Sequence, residues 1–277
     1  MSRPHATAPL VPDIVPFLKT LSDETRLAIV RLLAHTDLRV GEIVERLQLP
    51  SNLVSHHLRT LRRLGVLHAQ RSAADARDIY YSLDRERLQG LYTALGAALP
   101  LPRPVIPDPL APAGAHDRPL RVLFLCTHNS ARSQLAEGIL RHLAGDAVEV
   151  RSAGSAPAVI HPLALALLQE WGIDTSQHRS TALSAVMDQP FDYAITVCDR
   201  VREVCPVFPN DPVQLHWSLA DPTLIDDPDA QRHAFAALQR ALVTRIQALL
   251  SADHPATGRR VPARVHAQSA QGPVADA

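Results

Sequence analysis

The chain has 277 residues, 46% of them hydrophobic, with 28 basic and 28 acidic side chains and only three cysteines. That length suits two ordinary domains, no apolar run is long enough to cross a bilayer, and the N-terminus lacks the apolar core of a secretion signal, so no membrane partner is expected. Three thiols cannot make a disulfide framework, which makes a reducing cytoplasm the expected setting. Charge is mildly uneven: residues 1–100 hold 13 basic and 10 acidic side chains, and the rest hold 15 and 18. A basic first segment permits nucleic-acid binding without establishing it.

Seven prolines fall between Pro100 and Pro119. Proline fixes φ and removes donors, so residues 99–119 read as an extended linker. The stretch 252–277 lacks apolar periodicity and reads as a disordered tail. Two domains remain, at 10–98 and 120–251.

In the first domain, Ser22 can cap a helix whose opening turn carries Asp23 and Glu24, with Leu27, Ile29, Val30, Leu32 and Leu33 as its apolar face. A short helix over Val40–Leu47 and the turn Gln48-Leu49-Pro50 follow. Ser51 can then cap a third helix to about Leu64, with Leu53, Val54, Leu58, Leu61 and Leu64 at helical spacing. Gly65-Val66-Leu67, the polar run 71–77 and Ile79–Leu83 predict a β-hairpin, and a last helix spans about Asp84 to Leu99. This order is that of a winged helix-turn-helix, mainly α with a β-hairpin wing. The third helix offers Ser51, Asn52, Ser55, His56, Arg59, Thr60, Arg62 and Arg63 to base edges and phosphates, and Arg71 and Arg77 tip the wing. The segments LSDETRLAIVRLL and GEIVERLQLPSNLVSHHLRTLRRLGVL, with the hairpin, resemble the ArsR family of metal-responsive repressors. The resemblance implies operator DNA as a partner and a homodimer joined through terminal helices. Asp37–Glu42, where that family places a cysteine cluster, holds no thiol, and the last helix has no histidines for a zinc site.

In the second domain, Val122–Leu125 leads into Cys126-Thr127-His128-Asn129-Ser130-Ala131-Arg132-Ser133 and then a helix over Ser133–Leu143. A Cys-x5-Arg loop between strand and helix is an oxyanion trap: its amides and the helix N-terminus favour both thiolate and anion. Arg132 can engage two oxygens at once, Ser133 can donate to the thiolate, and Asn129 can brace the loop. Asp221, in the pair Asp221-Pro222, can protonate a departing oxygen. Cys198 and Cys205 follow the strand Phe191–Val197. Their seven-residue spacing is not a zinc knuckle, and three thiols exclude a four-cysteine site, so no metal or cofactor is expected. If 198–205 were helical, the two Cα atoms would be ~10 Å apart, whereas a disulfide needs ~5–6 Å. A disulfide there would require this segment to unwind.

The segments CTHNSARSQLAEGIL, RSAG and VCDRVREVCPVFPNDPVQLHW, together with Asp221-Pro222, resemble thioredoxin-coupled arsenate reductases over about residues 120–250. These are built on the low-molecular-weight tyrosine phosphatase fold, an α/β domain with a parallel sheet. The resemblance implies that Cys126 attacks arsenate held by Arg132 and the loop amides of 127–133 while Asp221 protonates the leaving oxygen. It further implies that Cys198 then attacks Cys126, releasing arsenite, and that Cys205 attacks Cys198 to form an outward disulfide that thioredoxin reduces. Some members are supported by potassium; Asn129, Glu137 and Ser152 occupy similar positions, but Thr181 stands where a carboxylate would help. Two other readings stay open. One is a tyrosine phosphatase, though Thr223 and Leu224 stand where phosphatases carry an aromatic. The other is a regulator whose second domain only senses oxyanion or redox state.

Overall fold

The computed structural model describes residues 14–99, 118–203, 208 and 210–251. Most of the proline-rich stretch, the tail beyond Ser251 and Cys205 lie outside the described residues. By internal contacts the chain forms two compact units. Of the described residues, the first holds 14–99, 196–203 and 215–220, and the second holds 118–195, 208, 210–214 and 221–251.

The first unit opens with α1 (Ile14–Leu21), which has no counterpart in the sequence reading, and α2 (Glu24–Leu33). Asp23, not Ser22, caps α2 by accepting from the Arg26 N–H, and the Ser22 hydroxyl donates instead to the Lys19 carbonyl. A carboxylate is the better cap because it also meets the positive end of the helix dipole. Strand β1 (Leu38–Arg39) leads to α3 (Val40–Leu47), which ends on Gln48 in the left-handed region, φ 54°. Helix α4 (Ser51–Arg63) starts after Pro50, so Ser51 sits inside the first turn and does not cap it. Proline fits that boundary because its fixed φ precedes a helix at little cost.

Strands β2 (Leu67–Arg71) and β3 (Ile79–Leu83) form the hairpin, and β1 adds to β3, giving an antiparallel sheet of order β1-β3-β2. Helix α5 (Arg85–Ala98) is capped by Asp84 through the Arg87 N–H. The core packs Phe17, Ile29, Leu33, Ile43, Leu58 and Leu61 among others. Each such side chain contributes about 1.5–3 kcal/mol by leaving water. Leu27 and Leu53, expected on the apolar faces, are exposed.

The remaining elements are β4 (Leu120–Cys126), α6 (Arg132–Ala144), β5 (Val148–Gly154), α7 (Pro162–Glu170), β6 (Tyr193–Thr196), α8 (Asp199–Glu203), β7 (Val213–His216) and α9 (Pro228–Ser251). The four strands form one parallel sheet in the order β5-β4-β6-β7. β4 reads as a continuous apolar run because Val122 to Leu125 are fully buried, as a central strand covered on both faces requires. Helices α6, α7 and α9 pack together and α6 packs on β4 and β5, and Leu135, Ile139, Leu168, Phe235 and Leu242 on these helices are buried. The loop between β4 and α6 lies at the C-terminal end of a parallel strand, where open α/β sheets place their ligands.

Candidate active site and nucleic-acid interface

β4 delivers Cys126, 3% exposed, to the start of the loop, and α6 begins at Arg132. The Cys126 Sγ receives the Asn129 N–H at 3.0 Å and lies 2.9 Å from the Ser133 Oγ. Hydrogen bonds to sulfur favour the thiolate, the nucleophilic form. The loop carbonyls of Thr127, His128 and Ser130 accept from the amides of Ala156, Ala158 and His161 at 2.8–2.9 Å. Oxygens that would repel an anion are thereby engaged elsewhere.

Asn129 makes the sharp turn possible. Its φ is 47°, a left-handed conformation that asparagine tolerates better than most residues. Its fully buried side chain donates to the Ser133 Oγ at 2.9 Å and the Ser152 Oγ at 2.7 Å. Its Oδ1 accepts from Gln134 Nε2 at 3.1 Å and the Thr181 N–H at 2.7 Å, so all four bonding positions are used. Gly154 closes the strand beside the loop; a Cβ there would stand 2.7 Å from the Thr127 carbonyl and 2.9 Å from the Asn129 nitrogen.

Arg132, 7% exposed, donates to the Asp221 Oδ2 at 2.5 Å. The other Asp221 oxygen accepts from the Thr223 N–H at 3.1 Å and hydroxyl at 2.7 Å. The guanidinium and the acid therefore sit together, with the acid fixed by its own turn. Cys198 is a buried thiol, in no disulfide, directly ahead of α8, and Cys205 lies outside the described residues.

Gln134 and His178 escaped the sequence reading. Gln134 is fully buried, donates to the Arg179 carbonyl at 2.9 Å and pairs through Oε1 with His178 Nδ1 at 2.9 Å. Burial holds His178 below the ordinary histidine range. No spacing rule marks either residue; only its position in the first turn of α6 distinguishes Gln134.

A potassium ion does not fit the oxygens that suggested it. The Asn129 Oδ1 already accepts twice. One Glu137 oxygen accepts from Ser152 and the other from Arg141, each at 2.5 Å, so a guanidinium holds the place of a cation.

On α4, Ser51, Asn52, His56, Arg59, Arg62 and Arg63 are exposed, Ser55 is half-buried, and the wing adds exposed Arg71 and Arg77. Arg77 is not a free cation: it holds Asp75 at 2.7 Å, and its side-chain and backbone donors lower the Asp75 carboxyl to about 2.

Residues 121–253 match the family described as low molecular weight phosphotyrosine protein phosphatase, and residues 23–69 match the bacterial regulatory protein, arsR family. The loop and sheet thus define the phosphatase-type fold, behind a regulatory helix-turn-helix. Among individual proteins, an arsenate reductase of Halalkalibacterium halodurans is 35% identical over 41% of this chain and 81% of its own length. Arsenate reductase 1 of Staphylococcus epidermidis is 36% identical over 40% and 84%. A solved thioredoxin-dependent arsenate reductase of Corynebacterium glutamicum aligns over 75% of this chain and 94% of that one, at 26% identity and a TM-score of 0.37. The chain belongs to the arsenate reductase family, with an arsR-family domain fused ahead of the reductase.

Proposed function

We propose that this protein reduces arsenate to arsenite by a three-thiol relay and, through its first domain, binds operator DNA as a regulator. The observation that carries the reading is the pairing of a hydrogen-bonded Cys126 sulfur with Arg132 and Asp221 around one loop. An arsenate dianion drawn to the loop competes with Asp221 for Arg132, since a bidentate oxyanion matches the guanidinium fork. Released from Arg132, Asp221 in its acid form gives a proton to the departing oxygen as Cys126 forms a sulfur–arsenic bond and water leaves.

Cys198 then attacks the Cys126 sulfur. The sulfur–arsenic bond breaks with its electron pair on arsenic, which falls from the +5 to the +3 state, and arsenite leaves behind a Cys126–Cys198 disulfide. Cys205 attacks Cys198 and frees Cys126. The resulting Cys198–Cys205 disulfide takes two electrons from an external dithiol, for which thioredoxin is the proposed donor. Thiols that must return to the reduced form after each turnover fit a cytoplasmic protein.

For the regulator, the exposed polar and basic face of α4 supports operator binding. Val15 and Leu18 on α1, with Tyr92 on α5 and Leu99 just beyond it, are exposed apolar groups that support a homodimer through these helices.

The test is arsenate-dependent NADPH oxidation with thioredoxin and its reductase, comparing wild type with Cys126→Ser and Cys205→Ser. Turnover in wild type and none in either variant is the expected result. Phosphate-ester hydrolysis that survives Cys205→Ser, with no arsenate turnover, would make the domain a phosphatase instead.

A further inference from the structure

The first compact unit contains a polar layer that the relay and the DNA-binding face leave unexplained. Asp199, 3% exposed and next in chain to Cys198, accepts the Ala73 N–H of the wing loop at 2.8 Å and pairs with His216 Nε2 at 3.1 Å. One turn later, Arg202 donates to Glu42 of α3 and to the Asp37 carbonyl, and lies over the Tyr80 ring. Asp37, fully buried, accepts the Ser218 N–H at 2.7 Å and donates its own N–H to the His216 carbonyl at 2.7 Å. The Trp217 indole N–H reaches the His35 carbonyl at 3.0 Å. Buried carboxylates are costly unless paired, so a layer in which both buried carboxylates, Asp199 and Asp37, accept hydrogen bonds is a specific fit.

We propose that this layer is a redox-released clasp: with Cys198 reduced, Asp199 and Arg202 hold the wing loop and α3 in their DNA-binding arrangement, and disulfide formation at Cys198 withdraws both side chains and weakens operator binding. The inference rests on the relay proposed above. Cys198 is 2% exposed, and its backbone cannot be displaced without Asp199, to which it is bonded. In the relay, Cys198 must pair with two different sulfurs in succession, each disulfide holding its Cα atoms ~5–6 Å apart. Residues 199–203 form α8; a helical rise of ~1.5 Å per residue, were it to continue to 205, would set the two Cα atoms ~10 Å apart, against that closeness. Opening α8 to form the second disulfide moves Asp199 and Arg202 away from Ala73 and Glu42.

With the clasp closed, the α4 face and the wing arginines remain exposed, so the clasped state is the one competent for DNA. The clasp also meets the repressor fold at Asp37 and Glu42, in the thiol-free stretch where a metalloid could not be bound by cysteines. Redox information would reach that stretch from Cys198 through α8.

The test uses the full-length chain and a DNA duplex selected from a random pool by its reduced form. Operator affinity, amide exchange at Ala73 and Ser218, arsenite release and the disulfide map are measured on reduced, arsenate-treated and diamide-oxidised protein. The clasp predicts that a mapped Cys198 disulfide weakens binding roughly tenfold or more, the scale of one lost charge-assisted hydrogen bond, and speeds exchange at both amides. Arg202→Ala and Asp199→Asn should bind weakly even when reduced and respond little to oxidation; the exchange readout on wild type stands independently of how well these variants fold. Arsenite release with unchanged affinity and exchange would overturn the clasp and leave the reductase standing. Loss of binding under diamide without arsenite release would keep the clasp and remove the reductase. A diamide-treated protein with no Cys198 disulfide, or with one and no change in affinity, also overturns it.

Discussion

The anion loop between β4 and α6 closes on itself within eight residues, Cys126 to Ser133, whereas the polar layer around Asp199 joins groups as distant in sequence as Asp37 and Ser218. Both are buried and both are densely hydrogen-bonded. The loop takes its shape from local chemistry: a left-handed Asn129, a helix start at Arg132 and a serine whose hydroxyl lies 2.9 Å from the thiol sulfur. The layer exists only because two remote stretches meet: the Asp37 N–H donates to the His216 carbonyl, and the His216 N–H donates to the Thr36 hydroxyl. A site made of neighbours in sequence survives as a motif; one made of distant backbone amides leaves no trace in residue identity, since any residue supplies an N–H.

Four measurements would break or sharpen that contrast. Gly154→Ala tests whether the loop depends on its packed neighbour. A Cβ would press on the Thr127 carbonyl and the Asn129 nitrogen, both backbone atoms that move only with the loop. Arsenate turnover should fall by about a hundredfold in kcat, the cost of a displacement of order 1 Å at the reacting centre. Wild-type kcat in this variant would show that the loop holds its form without that support.

Arg59→Ala removes an exposed cation from the α4 face and should weaken operator binding about tenfold, with a shallower salt dependence if the contact is to phosphate. Equal affinity in a salt titration would move the DNA face elsewhere.

A smaller effect is expected from pH on the polar layer. Burial pushes His216 below the ordinary histidine value; Asp199 and Asp37 oppose this and Arg202 adds to it. A histidine lowered on folding contributes stability above its unfolded value near 6.5 and loses it as pH falls from there toward the lowered value. Burial opposes ionisation of Asp199, yet its bonds from His216 and Ala73 hold it below the ordinary carboxylate range, so its contribution persists to more acid pH. Amide exchange at Ala73 and Ser218 should therefore rise as pH is lowered from about 7 to about 5.5, after correction for intrinsic rates. A flat profile would mean His216 is not a titrating member of the layer.

The smallest change concerns the wing tip. Asp75 occupies Arg77, and an exposed pair of this kind is worth little to stability. Asp75→Ala should free Arg77 and tighten operator binding by about threefold. Looser binding would mean that the pair orders the wing.

Much of the fold is legible because its signals are periodic or local. The helix over Val40–Leu47 and the strand over Ile79–Leu83 stand where the sequence places them, since each combines a strong hydrophobic pattern with clear turn residues. Helix α1 was missed because a short apolar stretch beside prolines resembles an arm until Phe17 and Ile14 are seen to be buried. The caps were misassigned by one residue because Ser22, Asp23 and Ser51 are all capable, and only backbone geometry selects among capable neighbours.

The sequence by itself singled out Cys126, Arg132, Asp221 and the basic residues of α4 as candidates, because each proposed chemistry demands a particular side chain at a particular spacing. Tertiary structure alone decided that Asp221 holds Arg132, that Gln134 and His178 brace the loop, and that Asp199 and Arg202 meet the wing and α3. Those partners are fixed by where the backbone turns in space, and long-range hydrogen bonds need only distance and direction, which spacing in sequence does not encode.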